Sequence, residues 1–98
     1  MKEPLNRNEA RKLIQQICRE GIVVPSRHAN EELANDDLTT VDVMNVLRAG
    51  RILEEAEQQP HGGWTYRVST EQLAVVVAFE SESKLKIVTA WRKKKKKR

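Results

Sequence analysis

The chain has 98 residues, 39% of them hydrophobic and 33% charged, which suits one small domain. The net charge is +4. Residues 92–98 are all basic and contribute +7, so residues 1–91 have a net charge of 4 − 7 = −3. One cysteine excludes an internal disulfide, and with two histidines it is too little for a closed Cys/His zinc site. We therefore expect no metal and no cofactor, with magnesium held by carboxylates as the alternative that stays open. A polar N-terminus and the lack of a long apolar run predict a cytoplasmic protein without a membrane span.

Helical signals dominate the first half of the chain. Apolar residues at helical spacing predict helices over residues 7–20, from 26 to near 35–37, and over 39–49. Residues with good capping side chains begin these helices: Asn6, Ser26 and Thr39. Between the first two helices, the β-branched run 22–24 ends at Pro25 and predicts an edge strand or an extended connection.

After Gly50 the apolar period changes from helical to about two, which predicts strands. Four are expected, over residues 51–57, 64–69, 73–80 and 84–91, with turns between them. The third is apolar on both faces, as expected of a central strand. We therefore predict an α+β fold with N-terminal helices packed on a four-stranded antiparallel β-meander, formed by residues 1–91 and followed by a disordered basic tail, 92–98.

Strict alternation assigns the residues of the second and fourth strands to faces. In the second strand, one face carries Trp64, Tyr66 and Val68, and the other carries Thr65, Arg67 and Ser69. In the last strand, Leu85, Ile87, Thr89 and Trp91 are expected to share one face. Candidate chemistry is concentrated in this sheet, which holds all four aromatic residues, and at His28, where free N–H groups in the first turn of a helix can bind a phosphate.

Several short segments resemble a family of small bacterial proteins. They are Ser26–Ala29, Thr40–Val43, Leu47–Glu54, Tyr66–Val68, Leu73–Val77 and Val88–Trp91, within roughly residues 24 to 92. Members of that family resemble toxins of the barnase, colicin and RelE-like ribonuclease superfold, often encoded beside an antitoxin. The resemblance implies a RelE/barnase-like fold and a toxin-like, metal-independent endoribonuclease. Its expected partners are RNA, a cognate antitoxin and the ribosome, with no membrane.

The resemblance also assigns roles to residues. His28 is the family's helix histidine and the candidate general base or acid, and Arg67 would stabilise charge on phosphorus. Thr89 or Tyr66 would bind a phosphate oxygen. The expected RNA-binding residues are Arg48, Trp64, Trp91, Arg92, Lys93 and Lys94. The chain departs from the family pattern at Glu31 and Glu32, which stand where an arginine is common and would repel a phosphate.

Each of these residues also has an ordinary structural explanation. Tyr66 and Trp64 can be core residues, and Arg67 can pair with Glu54 or Glu55 on a neighbouring strand. Arg48 is favoured near a helix C-terminus by the dipole alone. Two other functions therefore stay open: a non-catalytic RNA- or protein-binding module, and an antitoxin or immunity partner, which the acidic body would suit.

Overall fold

The computed structural model describes residues 1–93. Within them the chain forms three helices, α1 (Arg7–Glu20), α2 (Arg27–Asn35) and α3 (Thr40–Ala49), and five strands, β1 (Ile22–Pro25), β2 (Glu57–Gln58), β3 (Trp64–Ser69), β4 (Leu73–Ser81) and β5 (Lys84–Arg92). The α+β class is confirmed. Lys94 and the rest of the predicted basic tail lie outside the described residues, apart from Arg92, which ends β5, and Lys93.

The three helices begin where their capping side chains predict. Asn6 and Thr39 each form a complete capping box, with Glu9 and Asp42 respectively, and the Ser26 hydroxyl accepts a hydrogen bond from the N–H of Ala29. These side chains satisfy N–H groups that the helix itself leaves unpaired. Local sequence is therefore sufficient to position all three helix starts.

The sheet differs from the predicted four-stranded antiparallel meander. It has five strands in the order β1-β5-β4-β3-β2, and it is mixed because β1 runs parallel to β5. The pairing begins beside Gly21, where the N–H of Ile22 donates to the carbonyl of Ser83 at 2.9 Å. A side chain at Gly21 would collide with that same carbonyl oxygen, so the close approach depends on glycine.

The predicted strand over residues 51–57 is wrong. Only Arg51 makes a bridge, to Ser69, and β2 is limited to Glu57 and Gln58. Between them, Leu53 is 62% exposed. Glu54 forms an ion pair with Arg67, and Glu55 forms one with Arg7. Ile52 of this segment is nevertheless buried in the core and Ala56 packs against it, so residues 52–56 are held by side-chain contacts and not by a strand ladder.

One hydrophobic cluster joins all three helices to one face of the sheet. The helices contribute Ala10, Ile14, Ile17, Ala29, Leu33, Val43, Val46 and Leu47, and the strands contribute Tyr66, Val68, Val75, Val77, Phe79, Leu85, Ile87 and Ala90. Because successive strand residues point to opposite faces, the residues between these strand positions point away from the helices. The expected arrangement of helices on one face of the sheet is thus present.

A β-bulge in β5 changes which residues reach that second face. Val77 pairs with Ile87, but Val76 pairs with Thr89, so Val88 has no partner in the ladder. The extra residue reverses the alternation: Ile87 and Ala90 face the helices, whereas Thr89 shares a face with Val76. The prediction that Leu85, Ile87, Thr89 and Trp91 share one face is therefore wrong.

In the described part of the chain, no helix has the length and apolar character needed to cross a membrane.

Candidate nucleic-acid interface

The face of β3, β4 and β5 that points away from the helices is here called the open face. Its residues are Thr65, Arg67, Ser69, Ala74, Val76, Ala78, Lys86, Thr89 and Trp91. Thr65, Ser69 and Ala74 are buried and Arg67 is exposed, while the other five are partly exposed. An antiparallel sheet often leaves one face to solvent, but solvated faces are usually polar. Here the face mixes valine, alanine and tryptophan with two cations, a composition suited to binding.

Arg67, Thr89 and Trp91 come together on the open face. Val76 pairs with Arg67 on one side and with Thr89 on the other, so Arg67, Val76 and Thr89 form one row across the sheet. Trp91 follows two residues after Thr89 and pairs with Ala74. The guanidinium carbon of Arg67 lies 5.3 Å from the centre of the Trp91 ring, which is a cation–π contact. The bulge at Val88 makes this possible, because it turns Thr89 and Trp91 toward Arg67.

A carboxylate from the segment between Arg51 and β2 approaches the same arginine. Glu54 lies 3.5 Å from Arg67, and the two side chains are 62% and 46% exposed. The predicted alternative pairing of Arg67 with a glutamate is therefore present together with the stacking on Trp91. An ion pair this exposed is weak, so an anionic ligand can displace Glu54 at small cost.

The helix that carries His28 begins beside β5. Ser26 fixes the start of α2 beside the bulge, because its N–H donates to the carbonyl of Ile87 at 2.9 Å and its hydroxyl to that of Val88 at 3.1 Å. His28 follows two residues later with a side chain 63% exposed and Nε2 3.8 Å from Glu32. Among the described residues, no hydrogen bond or ion pair joins His28 to the row of Arg67 and Thr89.

Tyr66 and Trp64 lie on the opposite, helix-facing side of the sheet. Tyr66 is 2% exposed; its hydroxyl donates to Glu3 and accepts from the N–H of Leu5, both at 3.0 Å. Burial raises the pKa of Tyr66 to about 12, because the charged phenolate is poorly solvated there. Trp64 packs against the hydrophobic core. The core interpretation of both residues fits, and neither shares a face with Arg67.

The remaining predicted RNA-binding residues are dispersed. Arg48 is exposed in the last turn of α3, where its carbonyl accepts a hydrogen bond from Gln15 of α1. Arg92 donates its N–H to the carboxylate of Asp36 and its guanidinium to the Asp36 carbonyl. Lys93 Nζ donates to the carbonyl of Thr70 at 2.9 Å. Arg92 and Lys93 extend β5 beyond Trp91, whereas Arg48 lies on the helix side.

A small cleft of about 40 Å³ on the open face is lined by Glu54, Glu55, Glu57, Thr65, Arg67 and Val76. Two larger grooves lie beside the sheet. One, of about 390 Å³, lies at the Ser69 end of β3 and is lined by Arg51, Leu53, Glu71 and Lys93 among others. The other, of about 280 Å³, lies beside the β2–β3 hairpin and includes His61 and Lys86. No group of three residues able to ligate a metal ion is found in residues 1–93. The arrangement offers cations, an aromatic ring and hydroxyl groups on one surface.

Sequence reasoning missed Lys86 as a component of this surface, whereas it named Glu54 as an alternative partner of Arg67. Alternation in β5 predicts that Lys86 and Leu85 point to opposite faces of the sheet. Because Leu85 is buried in the core, this pattern was sufficient to predict Lys86 on the solvent side. Nothing in the local sequence of Glu54 shows that its segment leaves the sheet and approaches Arg67. That contact depends on the tertiary path between Arg51 and Glu57.

Comparison with known proteins gives one match. Residues 26–92 match the model of a family described as a domain of unknown function, DUF4258. No curated protein and no solved structure matches the chain significantly. The matched region begins at the N-cap of α2 and ends with β5, so it contains His28 and every residue of the open face. Because the match covers more than half of the chain, the protein belongs to the DUF4258 family of domains of unknown function.

Proposed function

We propose that this protein binds single-stranded RNA on its open face. The observation that carries the proposal is the contact between the exposed Arg67 and the partly exposed Trp91, on a sheet face that no helix of the described residues covers. Proteins that bind single strands commonly combine a basic groove with an aromatic ring on which a base stacks. Thr89 adds a hydroxyl in the same row.

A strand would bind by exchanging partners on this face. A base stacks on the accessible part of the Trp91 ring, and a phosphate replaces the Glu54 carboxylate beside Arg67. A phosphate accepts two parallel hydrogen bonds from a guanidinium, whereas Glu54 lies 3.5 Å away in an exposed pair. Replacement of the Glu54 carboxylate by an RNA phosphate at Arg67 is therefore favourable.

The C-terminal sequence supports the same proposal. It continues from Trp91 as seven consecutive basic residues, 92–98, next to the strand that carries the aromatic ring. Basic residues contribute a salt-dependent attraction to phosphates that does not depend on base sequence. Residues 1–91 carry −3, so we expect this segment to supply most of the long-range attraction.

A second candidate function is metal-independent RNA cleavage, as in ribonuclease toxins of the RelE/barnase type. It is favoured by the attachment of α2 to β5, since Ser26, two residues before His28, is hydrogen-bonded to the carbonyl of Val88 at the bulge. His28 would remove the proton of a 2′-hydroxyl, whose oxygen attacks phosphorus while the bond to the 5′-oxygen breaks. The products would be a 2′,3′-cyclic phosphate and a 5′-hydroxyl that takes up a proton.

Binding is tested with a labelled single-stranded RNA and the Trp91→Ala variant. Loss of one stacked base weakens affinity about 5-fold to 100-fold. Val41→Ala is the matched control, because it removes an apolar side chain that is 67% exposed on α3, away from the sheet. Equal affinity of Trp91→Ala and wild type, with both folded by circular dichroism, contradicts the proposal.

Cleavage is tested on the same RNA and by growth after induced expression. If His28 acts in catalysis, His28→Ala abolishes new RNA ends and growth arrest while RNA binding persists. Asn30→Ala, an exposed change on the same helix, should leave both unchanged. Binding by the wild type without cleavage or arrest would leave the non-catalytic function alone.

A further inference from the structure

The groove of about 280 Å³, here called the hairpin groove, lies beside the β2–β3 hairpin and is lined by residues from both faces of the sheet. Its polar lining includes Gln59, His61, Thr65 and Lys86, and its apolar lining includes Trp64, Ala78, Phe79 and Val88. This volume is close to the lower limit of pockets that bind small organic ligands. The hairpin groove therefore has room for a small ligand, with both polar and apolar surfaces.

The hairpin wall is held by its own hydrogen bonds. The N–H of Gln59 donates to the carbonyl of Gly63 at 2.7 Å, and the N–H of Gly62 to the carbonyl of Gln59 at 2.9 Å. Gly62 has φ of +100°, which favours glycine in this tight turn. The Gln59 amide also donates to the Thr65 hydroxyl at 3.0 Å. The wall is thus formed before any ligand arrives, which lowers the entropic cost of binding.

Lys86 supplies a cation without a carboxylate partner in the described residues. It is partly buried in β5 and forms no ion pair within residues 1–93, whereas Lys84 on the same strand lies 3.4 Å from Glu80. Glu3 is the acidic residue of the groove lining, and its carboxylate accepts the hydrogen bond of the buried Tyr66 hydroxyl. A partly desolvated ammonium gains from an anionic partner, so the groove favours an anion.

The position of Lys86 connects the groove to the proposed RNA site. Lys86 pairs with Ala78, and Thr89 pairs with Val76, so the two cross-strand rows are two β4 residues apart. Two residues along a strand span about 7 Å. One RNA strand lying across the open face can therefore reach both the Arg67–Trp91 contact and Lys86.

We propose that the hairpin groove binds one nucleotide of the single-stranded RNA, with its phosphate at Lys86 and His61. Its base lies on the apolar surface of Ala78 and Val88. The inference rests on the proposed function, because it assigns the groove to the same RNA strand. His61 lines the groove and its Nε2 lies 3.3 Å from the position of a Cβ at Gly63, so the imidazole packs against the hairpin backbone.

The test uses uridine 5′-monophosphate and backbone-amide NMR of the full chain. We expect the nucleotide to shift the amides of Thr65, Ala78 and Val88, and uridine without phosphate to bind at least 10-fold more weakly. Lys86→Gln should weaken nucleotide binding about 10-fold or more, because it removes a charge-assisted hydrogen bond. Lys84→Gln is the matched control, since it removes the same charge from the same strand and should change binding less than 2-fold.

Amide spectra of both variants that overlay with the wild type outside the groove establish that they are folded. Absence of shifts, or equal binding by Lys86→Gln and wild type, overturns the inference. If RNA affinity depends on Trp91 but Lys86→Gln changes neither RNA nor nucleotide binding, the groove assignment fails and the proposed function stands. If the nucleotide binds through Lys86 but the wild type binds no RNA, the groove is a nucleotide site and the proposed function fails.

Discussion

Glu54 is expected to limit RNA binding, because it occupies the position beside Arg67 that a phosphate would take. Its carboxylate lies 3.5 Å from the guanidinium, and both side chains are about half exposed. The Glu54→Gln change keeps the size of the side chain and removes its charge. RNA would then bind Arg67 without first breaking an ion pair.

The size of the effect follows from the exposure of the pair. Exposed ion pairs of this kind stabilise by about 0.2–1 kcal/mol, and a bound phosphate must replace that energy. Since 1.4 kcal/mol corresponds to about a factor of ten, Glu54→Gln should strengthen RNA binding about 1.4-fold to 5-fold. The gain should shrink as salt concentration rises, because salt screens exposed charges.

The assay is RNA affinity by fluorescence anisotropy at low and moderate salt. Glu55→Gln is a close control: it makes the same change in net charge one residue away, but Glu55 pairs with Arg7 at 3.6 Å. Any gain common to both variants is a general charge effect, and the excess in Glu54→Gln reports the contact with Arg67. In an Arg67→Gln background that excess should disappear. Equal affinities of Glu54→Gln and Glu55→Gln would refute the reasoning.

Further predictions concern stability. Tyr66→Phe removes two hydrogen bonds at 3.0 Å, to Glu3 and Leu5, and should lower the free energy of unfolding by about 1–3 kcal/mol in urea denaturation; an unchanged midpoint would contradict this. The pKa of Tyr66 is raised from 10.0 to about 12 in the folded protein, so the unfolded chain loses its proton first and stability should fall between about pH 10 and pH 12. Tyr66 is the single tyrosine, so tyrosinate absorbance of the folded protein reports it alone, and a titration midpoint near 10 would be inconsistent with its burial. Gly50→Ala should destabilise by about 1–3 kcal/mol, because its Cβ would lie 2.6 and 2.9 Å from two backbone carbonyl oxygens. Gly63→Ala is the control, since its Cβ would meet only the movable side chain of His61, and a larger loss of thermal stability there than at Gly50 would oppose the explanation.

The sequence by itself determined the local elements. Asn6, Ser26 and Thr39 cap the helices that their side chains predict. Alternating runs predicted β3 and β5, and a run apolar on both faces predicted β4, each to within one residue of the observed bounds. These signals succeed because a cap or an alternating strand is decided by residues a few positions apart. The sides of β3 were also predicted correctly, with Arg67 and Tyr66 on opposite faces.

Tertiary structure alone decided how these elements join and which side chains meet. The parallel pairing of β1 with β5 brings Ile22 beside Lys84, 62 residues later, and a four-residue strand carries no local signal for a partner or a direction. The local sequence does not predict the bulge at Val88 either, because valine suits a regular strand as well as a bulged one. That one unpaired residue turns Thr89 and Trp91 toward Arg67, so the candidate interface depends on the ladder formed with β4. Contacts between residues distant in sequence depend on strand register, and register is set by packing across the whole sheet.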